Sequence, residues 1–183
     1  MRARGAPSWS CPAERGSWTI RGVGVIEFGG PEALQVVDLP EAHAGPGEAR
    51  IRVRAATVNP TDTFVRGGGR AEALAKDPPP YIPGMDVAGV VDEIGSGTAT
   101  DLAVGDAVMA MVLPSGSHGA YRESIVLPAD ADVRAPVGAS LEQASTLPMN
   151  GLTARQSLDQ LALQPGETIA VTGAAGCYGG YVV

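Results

Sequence analysis

Thr168-Ile169-Ala170-Val171-Thr172-Gly173-Ala174-Ala175-Gly176-Cys177-Tyr178-Gly179-Gly180 is the stretch on which the reading of this chain turns. Its first residues, apolar and partly β-branched, read as a buried strand. Leu163-Gln164-Pro165-Gly166-Glu167 is a turn that delivers the chain into that strand. The glycines at 173, 176 and 179 then stand three and three apart. At this position a glycine turn lets the backbone approach a pyrophosphate, which rests on the N-terminus of the helix that follows. Taken alone such glycines also serve ordinary turns; the strand before them is what points to a dinucleotide site. No Lys follows, which disfavours a loop of the nucleotide-hydrolase type. The chain stops at Val183, and the acidic residue expected about 20 positions further on falls past it. The expectation is an N-terminal fragment whose doubly wound domain is incomplete.

Composition bounds the rest. The chain has 183 residues, enough for one sizeable core and a piece of a second domain. A hydrophobic content of 44% with 18% charged residues is ordinary for a globular protein. No apolar run approaches the roughly 18 residues of a membrane span. A net charge of −7 disfavours nucleic acid and anionic membranes as partners; a small-molecule substrate is expected. The charge is uneven, because Arg2, Arg4, Arg15 and Arg21 face only Glu14 within residues 1–21. That segment has no apolar signal core and little helical periodicity, so it reads as a disordered extension or a misassigned start. Cys11 and Cys177 make neither a disulfide framework nor a four-thiolate metal site, and a reduced, cytoplasmic setting fits them.

From Gly22 to about Leu127 the pattern is β. Residues 24–28 and 34–37 are short strand candidates. Residues 50–58 form the clearest strand, with Ile51, Val53 and Ala55 alternating against Arg50, Arg52 and Arg54. Residues 61–66 read as a short helix that Thr61 or Asp62 can cap, and 67–83 as a mobile loop rich in Gly and Pro. Strands follow at 87–94, 106–112 and 120–127. The character changes near Gly138. Ser140-Leu141-Glu142-Gln143 is a capping signal, and 151–163 reads as an amphipathic helix with Leu152, Ala154, Leu158, Leu161 and Ala162 on or near one face. The organisation expected is therefore an extension over 1–21, a β-rich domain over 22–138, and a helical connection over 139–183 that leads into the glycine turn. The fold class is mixed β and α/β.

Several separate motifs are recognisable together. Pro83-Gly84-Met85-Asp86-Val87-Ala88-Gly89-Val90-Val91, then Gly95, Gly97 and Gly105-Asp106-Ala107-Val108, resemble the medium-chain dehydrogenase/reductase superfamily. So do Asn59-Pro60-Thr61-Asp62 and Gly151-Leu152-Thr153-Ala154. The likeness is greatest to the zinc-independent, quinone-oxidoreductase-like branch and runs unbroken from Gly22 to Val183. It implies a GroES-like β-barrel catalytic domain joined to a Rossmann domain. Extended short-chain dehydrogenases share the glycine spacing but begin with it, whereas here roughly 170 residues precede it.

The resemblance also implies a chemistry. Zinc-dependent relatives place Cys where Asn59 stands and His where Met85 stands, and a catalytic zinc needs about three Cys, His or carboxylate ligands. No zinc is expected, and His43 and His118 accompany no ligand cluster. The implied activity is hydride transfer from NADPH, with NADH left open, to a quinone- or enone-like acceptor. The implied catalytic residues are Asn59, Asp62 and Thr153. Asn59 and Thr153 would also meet the cofactor, together with Gly173, Ala174, Gly176, Cys177, Tyr178 and Gly179. Each has a purely structural alternative: Asn59 before Pro60 as a strand end, Asp62 as a helix cap, Thr153 as a first-turn residue and Cys177 as a loop filler. Asp86 as a loop-holding residue and Tyr121 as a packing residue complete the candidates. A homodimer is expected of the complete protein. The competing reading is a non-catalytic truncated β-domain or interaction module that binds no cofactor.

Overall fold

The computed structural model describes residues 19–183. The extension expected over 1–21 lies outside the described residues up to position 18. Its last three residues do not belong to it. They open β1 (Thr19–Val25), where Ile20 is buried and Arg21 pairs with Glu123 at 2.8 Å. Arg21, counted with the extension for its charge, is the arginine of this ion pair.

Strand β1 pairs in antiparallel register with β2 (Leu34–Pro40) as a two-stranded ribbon. The main sheet has five antiparallel strands: β3 (Glu48–Ala55), β4 (Asp86–Ile94), β5 (Ala107–Met111), β6 (Ser124–Pro128) and β7 (Val133–Arg134), in the order β6-β3-β4-β5-β7. The ribbon is tied to the segment before β6 by Val23 N–H donating to Tyr121 O, and to the 67–83 region by the reciprocal pair of Val25 and Tyr81. Alternation in β3 buries Ile51 completely, and it packs with Val87, Val91, Val108 and Ile125. Each such side chain contributes roughly 1.5–3 kcal/mol over an exposed one. The polar face of β3 is not uniformly solvated. Arg50 is only 12% exposed, held between Asp92 at 2.8 Å and Glu41 at 3.1 Å.

Helix α1 (Pro60–Arg66) carries Pro60 at its first position, where a missing N–H costs nothing. The expected loop over 67–83 contains a short helix, α2 (Ala71–Leu74), because Leu74 is buried against Val25, Val65 and Tyr81. Helix α3 (Leu141–Ala144) begins as its sequence predicts: Gln143 N–H donates to Ser140 Oγ and Ser140 N–H to Gln143 Oε1. Helix α4 (Pro148–Leu161) starts three residues earlier than expected, again with Pro at its first position. Of its apolar face only Ala154 is buried, while Leu152 and Leu161 stay exposed.

Residues 168–171, expected as a strand, pair with no strand among the described residues, and Thr168, Ile169 and Ala170 are exposed. The physical reason is direct. A central parallel strand satisfies its backbone groups through neighbours on both sides, and no such neighbour lies beside this segment. The glycine turn forms nevertheless and leads into α5 (Gly179–Val182).

Candidate functional site

Three separate segments converge at the end of β4. Asn59 sits at the N-cap of α1, where the chain leaves β3 in an extended conformation fixed by the following proline. Asp86 is the first residue of β4 and is fully buried. Thr146 to Asn150 cover the passage from α3 into α4.

The Asp86 carboxylate joins them. Its Oδ2 accepts from Thr57 Oγ1 at 2.7 Å and from Asn59 Nδ2 at 2.7 Å. Its Oδ1 accepts from the Met149 N–H, in the first turn of α4, at 2.6 Å. A carboxylate can only accept here, so the amide of Asn59 must face it with its NH2 end and turn its carbonyl end away. A buried carboxyl is costly unless hydrogen-bonded, and these three donors offset that cost.

Asp62 lies below Asn59 and is also buried. Its Oδ2 accepts the Asn59 N–H at 2.8 Å, the return half of a capping box, and its Oδ1 accepts the Gly84 N–H at 2.8 Å. The Tyr121 hydroxyl lies 3.3 Å from Asp62 Oδ2 and 3.1 Å from Thr57 O. Burial, then the Asp62 charge, pushes the Tyr121 phenol above its ordinary pKa, so that it remains a donor. Thr153 is elsewhere. It is exposed on α4, and its hydroxyl donates to Met149 O at 2.6 Å inside its own helix.

A cleft of about 530 Å³ opens above this network. One wall is the Thr57–Pro60 segment, and the other is Thr146 and Asn150 with Cys177, Tyr178 and Tyr181 from the glycine turn and α5. The Tyr181 hydroxyl is 3.3 Å from both Thr146 Oγ1 and Thr146 O, which ties α5 to the start of α4. Of the residues singled out in the sequence, Asn59, Cys177 and Tyr178 line the cleft. Asp62 supports it from beneath, and Thr153, Gly173, Ala174, Gly176 and Gly179 do not line it. The glycines shape the turn instead. Gly173 has φ +73°, and Gly176 N–H donates to Gly173 O at 2.9 Å. A Cβ on Gly179 would collide with Gly173 O and lie 2.8 Å from Ala174 Cα.

Thr146, Asn150 and Tyr181 were not foreseen. Asn150 directly precedes the Gly151-Leu152-Thr153-Ala154 motif, which was the available signal; nothing local marks Thr146. A larger groove of about 640 Å³ runs between α4 and β5, lined by Met109, Met111, Leu152 and Leu158 among others. It is almost wholly apolar and holds none of the singled-out residues. Among the described residues no three His, Cys, Asp or Glu side chains gather into a metal-binding group.

The cleft fits the nicotinamide end of a dinucleotide. Its volume falls within the range of small-molecule sites. Its walls offer the amides of Asn59 and Asn150 and the hydroxyls of Thr146 and Tyr178, the donors and acceptors that a carboxamide and a ribose require.

Comparison with known proteins agrees with this fold. Residues 45–137 match the alcohol dehydrogenase GroES-like domain. A quinone oxidoreductase of Pongo abelii is 35% identical over 171 residues, covering 90% of this chain and 48% of its own. A 2-haloacrylate reductase of a Burkholderia species is 32% identical over 158 residues, covering 85% of this chain and 46% of its own. The structure of the quinone oxidoreductase from Coxiella burnetii superposes with a TM-score of 0.79 at 30% identity, over 90% of this chain and 52% of that one. This chain thus spans about half the length of the relatives it matches. Its fold is that of a GroES-like domain with mixed sheet and helices, and by fold, motifs and relatives alike it belongs to the medium-chain dehydrogenase/reductase superfamily, in the quinone-oxidoreductase-like branch.

Proposed function

We propose that this chain supplies the substrate-side domain and the nicotinamide cleft of an NADPH-dependent, zinc-independent reductase of quinone- or enone-like acceptors. The observation that carries the proposal is the meeting of Asn59 with Cys177 and Tyr178 across one cleft, which brings the β-rich domain and the glycine turn to the same ligand space. A reduced nicotinamide, when bound, supplies a hydride for an electron-poor carbon.

The chain's own residues then do three things. The carbonyl end of Asn59 accepts from a carboxamide NH2, and the amide of Asn150 donates to an acceptor oxygen. Val58, which is 72% exposed, and Pro60 give the mouth of the cleft an apolar edge suited to a planar, hydrophobic acceptor. Gly173, Ala174, Gly176 and Gly179 shape the turn that would receive the pyrophosphate, and Thr153 on the neighbouring helix surface would meet the cofactor further from the hydride. Asp62 serves by holding Asn59 and the Gly84 backbone.

Zinc has no ligand set at the positions where related enzymes hold it. The NH2 end of Asn59 is a donor already committed to Asp86, and Met85 offers only a thioether. The reaction therefore relies on positioning and on fixed dipoles. Haloacrylates, quinones and enones share an activated double bond, and that common chemistry defines the substrate class. NADPH over NADH, a location in the cytoplasm and a homodimeric assembly complete the reading.

The test is hydride transfer by this chain joined to a complete nucleotide-binding domain, followed as loss of reduced-nicotinamide absorbance with a quinone, an enone and a haloacrylate offered in turn. Turnover with NADPH in excess of that with NADH is expected, insensitive to a chelator and reduced by Asn59→Ala. No turnover with any acceptor would favour the non-catalytic module instead.

A further inference from the structure

Asp86 accepts three hydrogen bonds from three different residues, yet it is fully buried and lines no part of the cleft. Its two oxygens reach different walls. Oδ2 holds Thr57 and Asn59 on one side, and Oδ1 holds the Met149 N–H, next to Asn150, on the other. One rigid carboxylate thereby sets the spacing of the two walls. Its acceptor-only chemistry also decides which end of the Asn59 amide faces inward and which faces away. The capping contact of the Asn59 side chain with the Asp62 backbone N–H favours the same orientation, while the second contact of Asn59 Nδ2, to Thr57 Oγ1, is long at 3.4 Å and goes to a hydroxyl that can donate or accept.

We propose that Asp86 is a positioning residue: without touching ligand, it locks the Asn59 amide and the first turn of α4 in the arrangement that receives the nicotinamide. The inference rests on the nicotinamide reading of the cleft. It explains why a charged residue opens β4 beside the buried apolar Val87 and Ala88, a place where Asn or Ser would accept the Met149 N–H at lower desolvation cost. In Asp86→Asn one oxygen becomes an NH2 group. With the remaining oxygen on Met149 N–H, that NH2 group opposes Asn59 Nδ2, donor against donor, and the clash is relieved only if the Asn59 amide turns over and loses its wild-type orientation.

The experiment uses the 183-residue chain, with reduced nicotinamide mononucleotide as probe and NMR as readout. In the unliganded wild-type chain the side-chain amide protons of Asn59 should exchange slowly, and in Asp86→Asn quickly, while the β3–β4 ladder stays protected in both. Binding of the mononucleotide should weaken about tenfold or more in Asp86→Asn and by a similar factor in Asn59→Ala. The double variant should be little worse than either single one, because Asp86 acts through Asn59. Thr57→Val keeps the side-chain volume and removes one donor from the same oxygen. It is the milder variant if Asp86→Asn does not fold, and the same non-additivity with Asn59→Ala is expected of it.

Additive losses, or an Asn59 amide that exchanges equally fast in wild type and variant, would overturn the proposal. Wild-type chain that ignores the mononucleotide while showing the Asn59 exchange contrast would sink the nicotinamide reading alone and leave Asp86 as the residue that orients Asn59.

Discussion

Gly173 and Gly179 pack against each other so closely that the turn leaves no room for a side chain on Gly179. A Cβ there would overlap Gly173 O, and the nearest Cα, that of Ala174, would be 2.8 Å away. At Gly180, one residue on, the nearest atom to a built Cβ is Ala174 O at 3.7 Å, an ordinary contact. Gly179→Ala should therefore distort the turn and abolish mononucleotide binding. Gly180→Ala should bind as wild type and gain a few tenths of a kcal/mol of stability, up to about 1, from helix propensity. Calorimetric titration of both variants separates the outcomes, and equal binding by the two would show that the turn does not shape the site.

The Tyr121 hydroxyl is shared between Thr57 O and Asp62 Oδ2, both in the wall that presents Asn59. Tyr121→Phe removes the donor and leaves those acceptors short of one bond. A loss of about 1–3 kcal/mol is expected in urea unfolding. Ligand binding should weaken by less than in Asp86→Asn, because Asn59 keeps its direct bond to Asp86.

Asp132, in the turn between β6 and β7, is buried, and neither carboxyl oxygen has a hydrogen-bond partner among the described residues. Burial, then the nearby Asp130 charge, raises its pKa from 3.8 to about 7. The sign follows from proton counting. Between those two values the folded chain holds a proton that the unfolded chain releases, so this group makes stability fall as pH rises through the window and level off above it. Asp132→Asn lacks that loss. Its thermal midpoint should exceed that of wild type above about pH 7, and the two should converge near pH 4. Parallel midpoint curves across that range would contradict the assignment.

The reciprocal bonds of Ser140 and Gln143 start α3, and α3 packs Ala144 beside Ala88 and Met109. Ser140→Ala should cost about 1 kcal/mol in urea unfolding, whereas Ser140→Asp should retain most of the stability. A change within a few tenths of a kcal/mol for Ser140→Ala would show that packing alone holds α3.

Local chemistry was legible in the sequence wherever it acts over a few residues. The cap at Ser140, the alternation that buries Ile51 and the glycine turn all depend on near neighbours, whereas the cap of α1 is Asn59 and not Thr61 or Asp62 as expected. What escaped depends on distant ones. Residues 168–171 have strand composition, but a strand is made by its partners. Thr19 to Arg21 looked like extension until Glu123, far along the chain, supplied a partner for Arg21. In the site, Asn59 and Tyr178 were recognisable from their motifs. Asp86 was legible as a candidate and as a loop-holding residue but not as a hub, because its three donors come from positions 57, 59 and 149, and only the fold brings those together.

The central claim is that one cleft, walled by the Thr57–Pro60 segment and by the glycine turn, holds the nicotinamide. Its most direct test is chemical-shift mapping of the 183-residue chain titrated with reduced nicotinamide mononucleotide. Saturable shifts are expected, confined to Thr57, Val58, Asn59, Thr146, Asn150 and the Cys177–Tyr181 segment. Shifts centred instead on Met109, Met111, Leu152 and Leu158 in the apolar groove, or no saturable shifts at all, would contradict it.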